Sequence, residues 1–253
     1  MLATVRPITA LILREMATTY GRSPGGYVWA VLEPLAGIAL LSLVLSLAFV
    51  APPLGSSFPL FYATGLIPFL FYNDVSTKVG QSINFSRPLL RYPSVTFLDA
   101  ILARFVINFL VQLLVAYLLL YSILMFARDA GWPDFAHLGL AFGMIGTLAL
   151  GVGVLNCFLL TRFPIWQRLW GIANRPLFIV SCIFFTFEGV PEKFQHFLWW
   201  NPIVHLTGQM RMAVFEGYRP DYLSPTYVFG LSLILMVLGL IFLRRHHRAL
   251  VAA

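Results

Sequence analysis

The chain has 253 residues, of which 59% are hydrophobic and only 11% are charged. Soluble domains carry about 25% charged residues, so this composition excludes a water-soluble globular protein and indicates an all-α polytopic membrane protein. The net charge of +7 raises the question of nucleic-acid binding, but its distribution, described below, argues against a nucleic-acid partner.

The N-terminal segment 4–22 has the pattern of an amphipathic helix. Its apolar residues recur on one helical face, at Val5, Ile8, Ile12 and Met16. Basic helices with one apolar face lie in the plane of the membrane interface. We therefore expect an interface helix before the first membrane span.

Six apolar stretches have the character of membrane-spanning helices, which need about 20 mostly apolar residues. They are residues 27–50, 58–75, 101–126, 138–160, 172–187 and 227–243. The second is short and interrupted by Pro59, Gly65 and Pro68, and the fifth is also short.

The fourth predicted span contains glycines at helical spacing. Gly139, Gly143, Gly146 and Gly153 recur about one turn apart, and Gly151 accompanies them. Small residues let helix backbones approach closely in lipid. We therefore expect this stripe to be a helix-packing surface.

The segment 190–218 is too apolar for a free loop, but Asn201-Pro202 interrupts it. Irregular backbone at membrane depth is tolerated only where protein buries it or where it lines a wet cavity. We expect two short helices here, re-entrant or lying at the interface. An amphipathic surface loop is the alternative.

The basic residues predict the orientation. With six spans both termini lie on one side, which holds thirteen of the seventeen Lys and Arg residues, whereas the other side holds six of the ten acidic residues. Because Lys and Arg favour the cytoplasmic side, we expect both termini in the cytoplasm. The basic charge is then a topology signal, and no nucleic-acid partner is expected.

Glu33 lies one to two turns inside the first span, where an ionised carboxylate is costly unless it is paired or hydrated. It either pairs with an arginine at the membrane boundary or faces an aqueous vestibule or a docking partner. Pro34 in the first turns of a helix removes few hydrogen bonds. Tyr27 and Trp29 have the headgroup-level placement of interfacial aromatics.

Motifs for catalysis, metal binding and nucleotide binding are absent from the sequence. It has no GxxxxGK[ST] to cradle phosphates, no HExxH or GxSxG, and no paired metal ligands. Cys157 and Cys182 lie in apolar stretches without a CxxC spacing and are expected to be buried thiols. We expect no catalytic residue, metal or cofactor in this chain.

Four blocks of the sequence carry a resemblance to a known family. They are YGRSPGGYVWAVLEP (Tyr20–Pro34), GLIPFLFYNDVS (Gly65–Ser76), SCIFFTFEGVPEKF (Ser181–Phe194) and WNPIVHLTGQMRMAVFEGY (Trp200–Tyr218). Together they resemble the permease subunit of ABC-2 type exporters, in the branch that exports capsular polysaccharide and O-antigen. The likeness runs from end to end and is nearest to the exporters of acidic capsular polysaccharides. It departs at 22–26, where the family usually carries further basic residues.

The resemblance implies an assembly in the bacterial inner membrane. A homodimer of this chain would bind two copies of a separate ABC ATPase, which would hold ATP and Mg. Residues 84–98 would form a coupling helix on the ATPase, and the helices of 190–218 would gate the periplasmic exit. The substrate would be a lipid-linked polysaccharide, passed to a periplasmic adaptor of the polysaccharide co-polymerase type and an outer-membrane exporter.

The candidate site residues fall into three groups on this interpretation. Those expected at the ATPase are Asn84, Arg87, Leu89, Leu90, Arg91 and Tyr92. Those expected at the cytoplasmic mouth are Arg22, Tyr27, Trp29 and Glu33. Those expected at the periplasmic gate are Trp199, Trp200, Asn201 and His205.

Aromatic residues suit a conduit for a sugar polymer, because their rings combine apolar area with, in Tyr and Trp, a polar handle. The candidates are Phe61, Tyr62, Phe69, Phe71, Tyr72, Phe178, Phe184 and Phe185. For any single one of them, ordinary packing or contact with lipid is the alternative.

Two alternatives stay open for the function. The same permease could carry O-antigen, teichoic acid, another glycolipid or a small drug. A membrane enzyme acting on lipid-linked sugars would need intramembrane acids or bases, yet Arg104, Asn108 and Gln112 are nearly the only polar groups in mid-span.

Overall fold

The computed structural model describes residues 2–16, 26–90, 95–127 and 131–252. These residues form helices and connections, and none of them forms a β-strand, so the expected all-helical class is confirmed for them. In chain order the helices are α1 Leu2–Glu15, α2 Gly26–Ala48, α3 Phe58–Gly80, α4 Ser82–Ser86, α5 Phe97–Phe126, α6 Phe135–Arg162, α7 Trp166–Ile179, α8 Glu192–Trp199, α9 Pro202–Val214 and α10 Pro225–Ala252.

Four helices are long and apolar enough to cross a membrane. They are Val28–Leu47 within α2, Phe97–Phe126, Phe135–Arg162, and Pro225–His246 within α10. They coincide with the predicted spans 27–50, 101–126, 138–160 and 227–243. The protein is therefore a multi-pass membrane protein.

The other two predicted spans differ from simple apolar helices. Helix α3 contains 58–75 but continues to Gly80, and its last turns are polar, with Lys78 Nζ 2.9 Å from Asp74 Oδ2. The predicted span 172–187 is not one helix, because α7 ends at Ile179 and the chain from 180 to 187 is irregular. Pro176 in the last turn of α7 lacks an N–H for the helical ladder, which favours an end there.

Helix α3 is the centre of the bundle. It packs against α2, α5, α6 and α9, and most of its residues are buried. Ser57 caps its N-terminus and Pro59 lies in its first turn, where a missing N–H costs no helical bond. A Cβ at Gly65 would lie 3.0 Å from the Cα of Ile183. Glycine at this position therefore lets the irregular segment 180–187 lie directly on α3.

Capping side chains define where α5 and α6 begin. The Thr96 backbone N–H donates to Asp99 Oδ2 (2.9 Å) and the Asp99 N–H donates to Thr96 Oγ1 (3.2 Å), a capping box. At α6, Asp134 Oδ1 accepts from the backbone N–H groups of His137 (3.2 Å) and Ala136 (2.9 Å). The His137 N–H bond is the main cause that lowers the pKa of the Asp134 carboxyl.

The glycine stripe of α6 is a packing surface only in part. A Cβ at Gly139 would meet nothing within 4 Å, and Gly143 is nearly as open, so the expectation is wrong for these two. A Cβ at Gly151 would overlap the backbone carbonyl of Ser232 in α10. The close contact thus lies deeper along α6 than its first turns. Neighbouring helices also contact the two remaining positions, Gly146 and Gly153.

The two ends of the bundle carry different elements. At one end, named the α9 end, the connection before α6 reaches α9, with the Asp134 N–H donating to the Ala213 carbonyl (2.7 Å). At the other, named the α4 end, α4 lies beside the end of α6 and the start of α7. The Trp166 Nε1–H there donates to Asn156 Oδ1 (2.9 Å).

Candidate functional site

An aromatic cluster occupies the α9 end, where α8, α9 and α10 meet. It contains the four predicted gate residues Trp199, Trp200, Asn201 and His205, and it adds Tyr222 and Tyr227. The Trp199 ring centroid lies 5.0 Å from that of Tyr227 and 5.3 Å from that of His205. Sequence reasoning missed the two tyrosines because they follow the segment 190–218, although Tyr227 opens the last predicted span.

His205 is the polar hub of the aromatic cluster. Its Nε2 lies 2.9 Å from the Trp199 carbonyl and its Nδ1 lies 3.3 Å from the Ser224 backbone N–H. A carbonyl only accepts and a backbone N–H only donates, so the ring is neutral with its proton on Nε2. Burial lowers the pKa of His205, in agreement with this neutral form.

Further hydrogen bonds tie the cluster to its surroundings. The Trp199 Nε1–H donates to the Tyr222 carbonyl (3.0 Å), and the Tyr227 hydroxyl donates to the Trp200 carbonyl (2.7 Å). Asn201 caps α9 by accepting from the Ile203 N–H (3.1 Å). The end of α8 is therefore fixed to both α9 and α10.

The irregular segment 180–187 depends on polar groups of α9. Asn201 Nδ2 donates to the Val180 carbonyl (3.2 Å), and the Thr207 hydroxyl donates to the Ser181 carbonyl (3.2 Å). Cys182 has a φ of 57°, a left-handed conformation that costs a non-glycine residue roughly 1–2 kcal/mol. The segment is held by its neighbours rather than by its own helical ladder.

Arg211 of α9 completes the support of this segment. Its side chain is fully buried, and it donates to the carbonyls of Phe185 (Nη1, 2.9 Å) and Ile183 (Nη2, 3.1 Å). Its guanidinium carbon lies 4.2 Å from the ring centroid of Phe61 in α3, a cation–π geometry. Arg211 therefore connects α9, the irregular segment and α3. No sequence motif predicted this role for it.

Most predicted conduit aromatics are buried inside the chain. The five from α3 are at most 5% exposed, and they are Phe61, Tyr62, Phe69, Phe71 and Tyr72. Phe178 and Phe184 are only partly buried, and their rings form a row with Phe69, with centroids 5.1 and 5.4 Å apart. Phe185 is also partly buried.

A second polar cluster lies inside the α4 end. The Glu15 carboxylate of α1 is buried, 3.2 Å from Arg104 Nε, and accepts from Asn108 Nδ2 at 2.9 Å. The Arg104 guanidinium lies over the Phe85 ring of α4 at 4.2 Å, and that of Arg14 lies over the same ring at 5.2 Å. The cluster thus links α1, α4 and α5, and it explains how α5 carries polar groups at mid-span.

The predicted coupling segment 84–98 is not one helix in the described residues. Helix α4 ends at Ser86, a turn follows to 90, and α5 begins only at Phe97. Pro88 within the segment disfavours a helical continuation. Asn84 is exposed, and its Oδ1 accepts from Arg87 Nη2 at 3.3 Å. Leu89 and Leu90 are half-buried, and Arg91 and Tyr92 lie outside the described residues.

The predicted mouth residues lie on α2 as far as the structure describes them. Trp29 is 62% exposed and Glu33 is also exposed. Arg22 lies outside the described residues, as does the side chain of Tyr27. Glu33 therefore points away from the core of the chain.

Titratable groups do not form a metal site in the described residues. No group of three or more His, Cys, Asp or Glu side chains is close enough there to hold an ion. Both cysteines are free and buried, as expected.

Comparison with known proteins gives relatives that extend over nearly the whole chain. No protein-family model matches it. It is 31% identical to the polysialic acid transport protein KpsM of Escherichia coli over 97% of this chain and 95% of that protein. It is 27% identical to the capsule polysaccharide export inner-membrane protein CtrC of Neisseria meningitidis, over 93% of this chain and 89% of that protein. With BexB of Haemophilus influenzae, of the same description, it shares 26% identity over 94% and 90%.

Proposed function

The chain belongs to the family of capsule polysaccharide export inner-membrane permeases, and we propose that it moves lipid-linked capsular polysaccharide across the bacterial inner membrane. The observation that carries this proposal is the similarity to KpsM over nearly the full length of both proteins. ATP and Mg²⁺ would bind to two copies of a separate ABC ATPase, because this chain has no phosphate-binding loop.

The proposed topology has six membrane crossings with both termini in the cytoplasm. Helix α3 has the length of a span and is covered by other helices, and the polar side chains of its last turns are partly buried. Helix α7 and the irregular segment 180–187 together make the fifth crossing. Irregular backbone is tolerated at this depth because Arg211 and Thr207 satisfy its carbonyls. The α4 end is then cytoplasmic and the α9 end periplasmic.

The homodimer is supported by the exposure of α2 and α7. Helix α7 has no buried residue, although Arg168, Arg175 and Asn174 make it polar in part. Helix α2 buries only a narrow face against the rest of the chain. A second copy would cover these surfaces and leave a conduit that the partly buried Phe178 and the exposed Trp29 and Glu33 reach. The buried aromatics of α3 would form the wall behind it.

Coupling to ATP hydrolysis would pass through the loop at the α4 end. The ATPase would seat on Asn84 to Tyr92, and Phe85 would carry the movement to α1 and α5 through Arg14 and Arg104. The aromatic cluster at the α9 end would gate the exit toward the periplasmic adaptor and the outer-membrane exporter.

Other cargoes of the same permease are O-antigen, teichoic acid or another glycolipid. A membrane enzyme is disfavoured, because the mid-span polar groups bind one another rather than face a cavity. Asn108 and Arg104 bind Glu15, and Gln112 Nε2 donates to Asp74 Oδ2 at 2.8 Å.

The proposal is tested with the permease purified together with its ATPase in lipid nanodiscs. We expect lipid-linked capsular polysaccharide from the native host to stimulate ATP hydrolysis, and the lipid anchor alone or an apolar drug to stimulate it little. Stimulation by the drug and none by the polymer would reject the proposed cargo.

A further inference from the structure

A crevice between α5 and α6 opens to the side of the bundle. Its volume is about 600 Å³, and its lining is almost wholly apolar, with Leu110, Leu114, Tyr117, Phe135 and Phe142 among its walls. Both helices rest on α3, where the rings of Phe71 and Phe142 lie 5.8 Å apart, while their outer sides stay separate. The crevice is therefore formed by the helices of a single chain.

The length of the crevice along α5 is close to the thickness of one membrane leaflet. It runs from Leu110 to Leu124 along α5, which is about 21 Å at 1.5 Å per residue. A leaflet is about 15 Å of hydrocarbon plus its headgroup layer. The open end of the crevice coincides with the α9 end, where Trp132 and Phe135 are strongly exposed.

A polar pocket of about 360 Å³ adjoins this open end, and Trp132 lines both cavities. Its lining contains both signs of charge, from Asp134, Glu216 and Arg219, and it contains His137, whose Nε2 lies 3.9 Å from Asp134 Oδ2. Residues 212–219 line much of the pocket; they are the last residues of α9 and the first residues after it. A polar pocket at the mouth of an apolar crevice matches an amphiphile with a zwitterionic head.

We propose that the crevice and the pocket together bind one phospholipid of the phosphoethanolamine class. One acyl chain lies along α5 and α6, the phosphate lies near Arg219, and the ammonium group lies near Asp134 and Glu216. A transmembrane helix would cover the apolar crevice but would not place a zwitterionic group in the polar pocket that adjoins it. The bound headgroup also braces the segment after α9 and so supports the gate.

The test is native mass spectrometry of the purified full-length chain with phosphatidylethanolamine or phosphatidylglycerol added. Leu114→Trp fills the crevice, and Leu233→Trp on α10 is its matched control, since these leucines are 56% and 55% exposed. Arg219→Ala removes the phosphate contact from an exposed position and keeps the fold, with Lys193→Ala as its control.

We expect one retained phosphatidylethanolamine in the wild type and both controls. Leu114→Trp and Arg219→Ala should each raise about tenfold the phosphatidylethanolamine concentration that gives half occupancy, which corresponds to a tenfold loss of affinity. Equal retention by Leu114→Trp, or no preference between the two lipids, would overturn the proposal in favour of ordinary surrounding lipid. A chain that retains no phosphatidylethanolamine, with a photoreactive residue at Tyr117 that cross-links to the periplasmic adaptor, would also overturn it.

Discussion

Arg211 shows how one side chain stabilises irregular backbone inside a membrane protein. It supplies donors to the carbonyls of Ile183 and Phe185, and its planar face packs on Phe61. Guanidinium offers several donors in a fixed geometry, which lysine does not. The segment 180–187 is therefore ordered without being helical.

Arg211→Leu should destabilise the protein. Two buried carbonyls lose their donors, and since an unmet buried group costs about 1–3 kcal/mol, we expect the free energy of unfolding to fall by about 3 kcal/mol. Thermal unfolding in detergent measures this, and Arg211→Lys should recover only part of the loss. The control is Lys193→Leu, which removes an exposed cation from α8. Equal melting temperatures for Arg211→Leu and Lys193→Leu would contradict this role.

Glu15 forms a buried ion pair with Arg104. Removing Glu15 alone should lower the stability of the protein more than removing both residues. Breaking one partner of a buried pair costs about 3–5 kcal/mol, whereas replacing both by apolar residues can be nearly neutral. We expect Glu15→Leu to be strongly destabilised and Glu15→Leu with Arg104→Met to recover most of the loss. A thermal-unfolding double-mutant cycle measures the coupling, with the exposed Glu33→Leu as control. Additive effects would show that the two residues do not interact.

Most contacts between individual side chains could not be predicted from the sequence. Arg104 and Asn108 could be recognised as polar groups in an apolar helix, but Glu15 lies in the N-terminal segment, which has the pattern of a surface helix. Only the folded chain brings these residues together. The four predicted gate residues lie together in the fold, because they are close in the sequence and flank the start of α9. Whether they gate export stays a prediction.

At the scale of elements, the contact between α6 and α10 depends on Gly151. Its backbone lies against the Ser232 carbonyl, so a methyl group there has no space. Because lipid offers no hydrophobic driving force between helices, van der Waals packing at such close contacts stabilises helix association.

Gly151→Leu should separate these two helices, whereas Gly139→Leu on the same helix should be tolerated, since Gly139 faces open space. We expect a loss of about 2 kcal/mol or more for Gly151→Leu, in the range of overpacked cores, and almost none for Gly139→Leu. Thermal unfolding of the two variants in the same detergent gives the comparison. Similar melting temperatures would place the helix contact elsewhere.

Helix boundaries could be predicted from the sequence where capping residues and prolines mark them. The Asn201-Pro202 pair predicted a break between two short helices, and it is the cap and first residue of α9. The predicted span 172–187 is not one continuous helix, and apolar composition alone does not distinguish a helix from a segment held by another element. A central helix and a lumen-lining helix also have similar composition, so a role of the α3 aromatics in the conduit stays a prediction.

For the whole molecule, the proposed exporter depends on contact between the loop within 84–98 and an ATPase. Arg91 follows the half-buried Leu90 in the chain and belongs to the apolar and basic block LLRY, residues 89–92, which lies between Pro88 and Pro93. Arg91→Glu should retain the fold and membrane insertion but separate ATP hydrolysis from export. Export is measured as surface polysaccharide and hydrolysis with the purified complex. Wild-type export by this variant would reject docking at Arg91, and Lys193→Glu at the opposite end is the charge-matched control.

Deletion of the gene tests whether this chain exports a lipid-linked polysaccharide. The gene is deleted in its native host, and the polysaccharide is then quantified chemically at the cell surface and inside the cell. We predict intact polymer accumulating inside and little at the surface, with export restored by the wild-type gene. Polymer missing from both compartments would indicate a role in synthesis, and unchanged surface polymer would contradict the claim.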